Sequence, residues 1–218
     1  MQPSAEELAF LRPTAREEVI WDTRYDKIYC VAATAIADMV FFQKNVGSAV
    51  PAAWGAVGNV ASFWHTNMRA AGTMERGNRL FAKVMNFNIF DAVGANIVHV
   101  TNSLLTLGNV YSALMGIILQ PSMMTKPYGE VQAYRVPAGG GMLAQTSATA
   151  LAAGTAINIA SETNGMASYN NAWPVKLPLE ELMPFGVTAL LRGPAVTPTT
   201  TNLWAEVSLS GWSVRAIL

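Results

Sequence analysis

The sequence is short of charge, cysteine and histidine. Only 13% of its 218 residues are Asp, Glu, Lys or Arg, where about 25% is usual for a soluble domain. Fourteen basic and fourteen acidic residues cancel to zero net charge. No basic surplus exists to neutralise phosphates, which excludes a charge-driven nucleic-acid binder and leaves no expectation of sequence-specific binding. The one cysteine, Cys30, excludes an intrachain disulfide and with it a disulfide-stapled secreted fold. Cys30 itself reads as a small apolar core residue. The first 27 residues carry Glu6, Glu7, Glu17, Glu18, Asp22 and Asp26. That acidic start predicts no secretory signal.

The chemistry that remains is thin. His65 and His99 each sit among apolar or small residues, and no cluster of His, Cys, Asp and Glu has metal-ligand spacing. There is no Gly-x-Ser-x-Gly, and no positive residue lies closer to Cys30 than Lys27. Glu6-Glu7, Glu17-Glu18 and Glu180-Glu181 are adjacent pairs, so their side chains diverge. Gly139-Gly140-Gly141 lacks the Gly-Lys-Ser/Thr ending of a phosphate loop. The expectation is neither an enzyme nor a cofactor-binding protein.

Hydrophobic residues nonetheless make up 51% of the chain. That excludes disorder for most of the chain and leaves two accounts of the missing charge: lipid, or burial against other chains. The 34 positions from Ala92 to Thr125 hold no charged residue, long enough for a membrane span. They are interrupted by Asn96, His99, Thr101, Asn102, Ser103, Thr106, Asn109 and Ser112, which favours a buried helix over Val98 to Ala113 followed by a strand over Met115 to Leu119, ended by Pro121.

Ser4-Ala5-Glu6-Glu7 and Thr14-Ala15-Arg16-Glu17 both fit a capping box, with Pro13 between them. Two short helices with an apolar face of Phe10, Leu11, Val19, Ile20 and Trp21 are expected. They are too short to stand alone and must dock on this domain or on a neighbour. Beyond Lys27 strand signals dominate: Ile28 to Val31, Met39 to Phe42, Arg79 to Phe90, Gly129 to Val136, Val175 to Leu179 and Phe185 to Leu191. Val46 to Asn59 reads as a loop. Ala138 to Asn171, rich in Ala, Gly, Ser and Thr, reads as a long loop or loosely packed excursion.

The last strand is the clearest. Leu203, Ala205, Val207 and Leu209 alternate with Trp204, Glu206, Ser208 and Ser210. The apolar parity changes at Gly211, because Trp212 and Val214 are even-numbered, which predicts a β-bulge there. The six Trp are spread along the chain and read mostly as core. Trp204 shares its face with Glu206 and Ser208, so it reads either as an exposed interface anchor or as a residue under the Ala138–Asn171 excursion. About eight strands and many Pro/Gly turns point to an all-β sandwich or barrel.

Several segments, in order, resemble capsid proteins of tailless icosahedral bacterial viruses, the corticovirus-like and related jelly-roll group. They are Thr66-Asn67-Met68-Arg69-Ala70-Ala71-Gly72 followed by Arg79 to Val84, then Tyr169-Asn170-Asn171-Ala172-Trp173-Pro174-Val175, then Met183-Pro184-Phe185-Gly186-Val187, and the closing Val207 to Arg215. The likeness spans roughly residues 39–218 and leaves the first 22 unmatched. It implies a single eight-stranded jelly roll over 27–218, with one internal helix and a short helical N-terminal arm over 1–26. Many members carry two rolls, whereas 218 residues hold one, so both a major capsid protein and a minor shell component stay open.

On this reading the chain is a self-assembling capsid subunit, located in the virion and assembled in the host cytoplasm. Its partners are copies of itself and other capsid proteins, and an internal viral membrane is a further partner the resemblance allows. Charge-poor interfaces between copies then explain the composition. Phe10, Leu11, Val19, Ile20, Trp21, Trp173 and Trp204 are the candidate interface residues, and the arm is expected to matter more for assembly than for monomer folding. The alternative is a carbohydrate- or surface-binding β-sandwich module, such as an adhesin or tail-associated protein, built on exposed aromatics.

Overall fold

Leu203 to Ala216, the segment with the strictest alternation, forms the longest interior strand of the molecule and organises the rest. The computed structural model describes residues 2–31, 34–35, 37–54, 57–91, 99–101, 116–136, 143–151, 155–163, 173–193 and 202–216. In chain order the elements are α1 (Ala5–Leu11), β1 (Glu17–Cys30), β2 (Met39–Phe41), β3 (Leu80–Asp91), β4 (His99–Thr101), β5 (Ile117–Met123), β6 (Lys126–Pro127) and β7 (Val131–Gln132). They continue with β8 (Leu143–Leu151), β9 (Thr155–Thr163), β10 (Trp173–Leu179), β11 (Phe185–Leu191) and β12 (Leu203–Ala216).

The described part is mostly β, and its two main sheets are antiparallel and face each other in a sandwich-like arrangement. One sheet has the order β1-β12-β3-β10, and the other has the order β2-β11-β5-β6, with β7 also on β5. Period-2 alternation sends one side of each strand into the space between them. Leu80, Met85 and Phe87 of β3 and Val207 and Leu209 of β12 meet Phe41 of β2, Leu119 of β5 and Val187 of β11, all with no exposed surface. Phe41 and Phe87 cross between the sheets edge to face, with ring centroids 6.3 Å apart. Each such side chain contributes about 2–3 kcal/mol when fully buried.

Other expectations are corrected. Pro121 does not end a strand. It lies inside β5, between the stretch paired with β7 and the stretch paired with β6, where the ladder is interrupted and a missing N–H costs little. The excursion over 138–171 contains a nine-residue hairpin, β8 with β9, extended by β4. His99–Thr101, expected to open a helix, is β4, and residues 102–113 of that expected helix lie outside the described residues. Among the described residues no helix is long and apolar enough to cross a membrane.

The N-terminal region is corrected as well. The first capping box forms: Ser4 Oγ accepts from the Glu7 N–H, and Glu7 accepts from the Ser4 N–H at 2.6 Å. The second box makes only half its bonds. Glu17 accepts from the Thr14 N–H at 2.9 Å, but the chain then enters β1, which pairs with β12 from Glu17↔Ala216 to Cys30↔Leu203. A boundary at residue 26 therefore falls in the middle of a continuous strand.

The β-bulge stands at Ser210/Gly211, as the parity change predicts, but its extra residue is on the neighbouring strand. Ser210 faces Val84 and Gly211 faces Ala82, which makes Lys83 of β3 the extra residue of the bulge, while the β1–β12 register runs on unbroken. β12 keeps its parity. Trp212 and Val214 belong to its outward face, where Leu11 of α1, with no exposed surface, covers them.

Both margins of the β1-β12-β3-β10 sheet are partly blocked to further strands. At β1 the segment 65–67 takes backbone groups of 25–27: the Lys27 N–H donates to the His65 carbonyl at 2.8 Å, and the Tyr25 N–H donates to Asn67 Oδ1 at 2.9 Å. At β10 the edge carries Pro174, Pro178 and Lys176, devices that deny a partner strand its donors and its desolvation.

Candidate functional site

The outward face of the same sheet carries two clusters, one near each end of the strands. At the α1 end, Phe10 packs edge to face on Phe81 (5.6 Å) and Trp21 on Trp212 (5.3 Å). The bulge aims Lys83 at α1, where its Nζ sits 2.7 Å from buried Glu7. Burial by itself would raise the Glu7 pKa, but Lys83 and Ser4 together hold it below the ordinary value. A carboxylate with a depressed folded pKa contributes stability that is complete above its unfolded pKa, about 4.3, and is lost as pH falls through the folded value. Urea midpoints are therefore expected to drop on acidification from pH 6 to pH 3, with a shallower drop for Glu7→Gln.

At the other end, Trp204 is 2% exposed and packs against two other segments. Its ring meets Tyr29 at 4.7 Å, Trp64 at 4.7 Å, Trp54 at 5.3 Å and His65 at 5.3 Å. The sequence reading of Trp204 as an exposed anchor is thus corrected, and so is the reading of the Trp residues as unclustered. The segment from Trp54 to His65 covers Trp204 and leaves Trp64 at 39% exposure and Phe63 at 61%. His65 Nδ1 accepts from the Ser62 N–H at 3.0 Å, which leaves the ring proton on Nε2. Burial, then the Lys44 and Lys27 charges, lower the His65 pKa and keep the ring neutral.

Cations line this cluster. Lys27 Nζ stands 4.0 Å from the Trp64 ring centre and 3.4 Å from Glu206, and Lys44 Nζ stands 5.0 Å from the Trp54 ring centre. Lys44 also pairs with Asp26, which is 1% exposed and accepts from the Phe42 N–H at 2.6 Å. Burial raises the Asp26 pKa, although Lys44 and the Phe42 N–H pull against it. Burial likewise lowers that of Lys44, against Asp26. Through the Lys44–Asp26 pair and the Phe42 N–H, these groups hold the segment after β2 against β1.

The seven candidate interface residues separate in the structure. Phe10, Leu11 and Val19 form one intramolecular cluster with Trp212 and Val214, so α1 docks on its own sheet. Ile20 is half-buried in β1, and Trp21 keeps 37% exposure beside Trp212. Leu11→Ala is expected to cost about 2–4 kcal/mol in urea unfolding, as for other buried leucines. Deletion of residues 1–21 is expected to impair the monomer itself, because it removes α1 and five paired residues of β1. Trp173 is half-buried at the β10 margin, on the wall of a cleft of about 520 Å³ that runs between β10 and the β6–β7 turn. Cys30 touches Met39 (Sγ to Sδ 3.8 Å), and burial pushes its thiol up to about 11.

Sequence reasoning missed Trp54, Trp64, Phe63, Lys44 and Asp26. The only local sign was the run Phe63-Trp64-His65. Among the described residues no group of three His, Cys, Asp or Glu could hold a metal ion. No family model, curated protein or solved structure matches the chain.

Proposed function

We propose that the chain is a structural shell subunit, a single eight-stranded jelly roll that assembles with copies of itself into an icosahedral capsid. The strand order carries the reading. With β6 and β7 taken as one interrupted strand, and β4, β8 and β9 as an insertion, the sandwich strands number one to eight along the chain. One sheet then runs 1-8-3-6 and the other 2-7-4-5. First pairs with eighth, second with seventh, third with sixth and fourth with fifth, the pattern of one long hairpin rolled into two sheets. That wrapping defines the jelly roll, the architecture of many viral capsid domains, though lectins and cupins use it too.

Two further observations favour a shell over those. Of the segments that resemble capsid proteins, 79–84, 173–175, 183–187 and 207–215 overlap β3, β10, β11 and β12, while 66–72 lies outside the strands. The low charge content suits a subunit whose sides face other subunits. Copies of the chain and other capsid proteins are the partners this implies, an internal viral membrane a further one, with the virion as the location.

Negative-stain microscopy of the purified protein at rising concentration is expected to show closed particles of uniform diameter. A strictly monomeric species at millimolar concentration would overturn the reading. One observation favours a second reading, a carbohydrate- or surface-binding module: Tyr128 and Trp173 both line the open cleft. Glycan-array binding that is lost in Trp173→Ala would establish it.

A further inference from the structure

We propose that the side chains of Lys44 and Asp26 condense after folding into an isopeptide bond, a covalent tie between the two sheets of the sandwich. The tie goes beyond the shell reading and forms in a monomer as well as in an assembly.

The fold brings the two groups together from different sheets. Asp26 lies in β1, at the margin of one sheet, and Lys44 follows β2, at the margin of the other. Between β2 and Lys44 the chain passes through Phe42, which is fully buried at φ +69°, a left-handed conformation that strains a bulky residue. The Phe42 N–H donates to Asp26 Oδ2 at 2.6 Å, and Lys44 Nζ contacts Asp26 Oδ1. One carboxyl group thus meets an amine at one oxygen and a fixed backbone donor at the other.

The surroundings favour the reactive form of the pair. Asp26 is 1% exposed and the Lys44 side chain 13%. Thr66, with no exposed surface, bridges to Asp26, and the Trp54 ring centre stands 5.0 Å from Nζ. Burial raises the Asp26 pKa and lowers that of Lys44, while their mutual attraction opposes both shifts. Desolvation therefore works toward a free amine beside a carboxylic acid, a nucleophile against its electrophile. The neighbouring charges do not divert them: Lys27 is met by Glu206 at 3.4 Å, and His65 is held neutral.

The step balances within the pair. A proton passes from Nζ to Oδ1, and the freed lone pair attacks Cγ to form the N–C bond. The carbonyl electrons move to Oδ2, where the Phe42 N–H holds the charge as an oxyanion donor does. A second proton passes from nitrogen to Oδ1, the Cγ–Oδ1 bond breaks, and Oδ2 restores the carbonyl. An ammonium and a carboxylate become one amide and one water, with no co-reactant. Fixed contact between the two groups supplies the effective concentration that such a reaction lacks in free solution, and the enclosed site keeps out water that would reverse it. In a chain whose one cysteine cannot form an internal disulfide, the product closes a loop across both sheets and restricts the unfolded chain.

Intact mass spectrometry of the purified full chain tests this, with Lys44→Arg as the comparison because it keeps the positive charge but not the nucleophilic amine. The native chain is expected to be lighter than its sequence by one water, and Lys44→Arg to match its sequence. Trypsin is expected to release a branched peptide in which Tyr25–Lys27 is joined to an Ile28–Arg69 segment left uncut at Lys44. A native chain at full sequence mass, freshly purified and after prolonged incubation at neutral pH, would overturn the proposal. So would a water loss that persists in Lys44→Arg, which would mean a succinimide at an aspartate instead. Neither result bears on the shell reading, whose test is particle formation.

Discussion

Gly211→Ala is expected to destabilise the chain more than any other single substitution considered. At this position β12 crosses the bulge of β3 so closely that an ideal Cβ would overlap the Phe81 carbonyl oxygen and stand 2.8 Å from Ala82 Cα. Both neighbours are backbone, so no side chain can swing aside. Relief requires that β3 and β12 separate, and these two strands are the middle of their sheet. The expected loss is about 4 kcal/mol or more, the range reached by few point substitutions, out of a total stability of about 5–15 kcal/mol. The measurement is soluble yield followed by urea unfolding. Gly47→Ala is the control: it places a Cβ in open space at φ +88°, and its strain is expected to cost about 1–2 kcal/mol. If both variants behave alike, the close approach at Gly211 is not the constraint described above.

Trp204→Ala has the second largest expected effect, a loss of about 3–5 kcal/mol, as for other fully buried large aromatics. Four rings rest on this indole. Its removal leaves Trp54, Trp64 and His65 without a floor, so the 52–65 segment is expected to become protease-sensitive before the rest of the fold melts. Limited proteolysis under native conditions checks this, and Trp204→Phe is expected to recover most of the stability. A Trp204→Ala protein with normal stability and intact 52–65 protection would contradict the burial of this side chain.

The parts of the fold that were legible are those where local pattern and tertiary role agree. Trp204 to Leu209 alternates because Ala205, Val207 and Leu209 face the core while Trp204 packs on the outer side against Trp54 and Trp64. Phe185 to Leu191 is largely apolar because β11 lies inside its sheet, and the alternation within Arg79 to Phe90 is that of an interior strand with one side in the core. Thr14 to Glu17 misled because its capping bond forms, yet the partner that makes the next residues a strand is the Leu203–Ala216 segment at the other end of the sequence. The hairpin at 143–163 was read as a loop because Ala, Ser and Thr carry little strand signal of their own. The aromatic cluster was illegible for a related reason. Its members come from Tyr29, from Trp54 to His65 and from Trp204, and no spacing rule links three segments so far apart. For Gly211 the glycine gave the position of the bulge, but the strand holding the extra residue is a matter of register and could not be read locally.

The pairing of β1 with β12 also governs when the molecule can exist. Thr23 and Ser210, hydrogen-bonded at 2.8 Å, are separated by 187 positions. At about 5–20 residues per second, the ribosome takes about 10–40 s to deliver the second after the first. Until then β1 and β3 have no strand between them, and the indole on which Trp54, Trp64 and His65 rest is missing. The first strand to be made is thus among the last to be paired: the sheet closes only once the 203–216 segment has emerged.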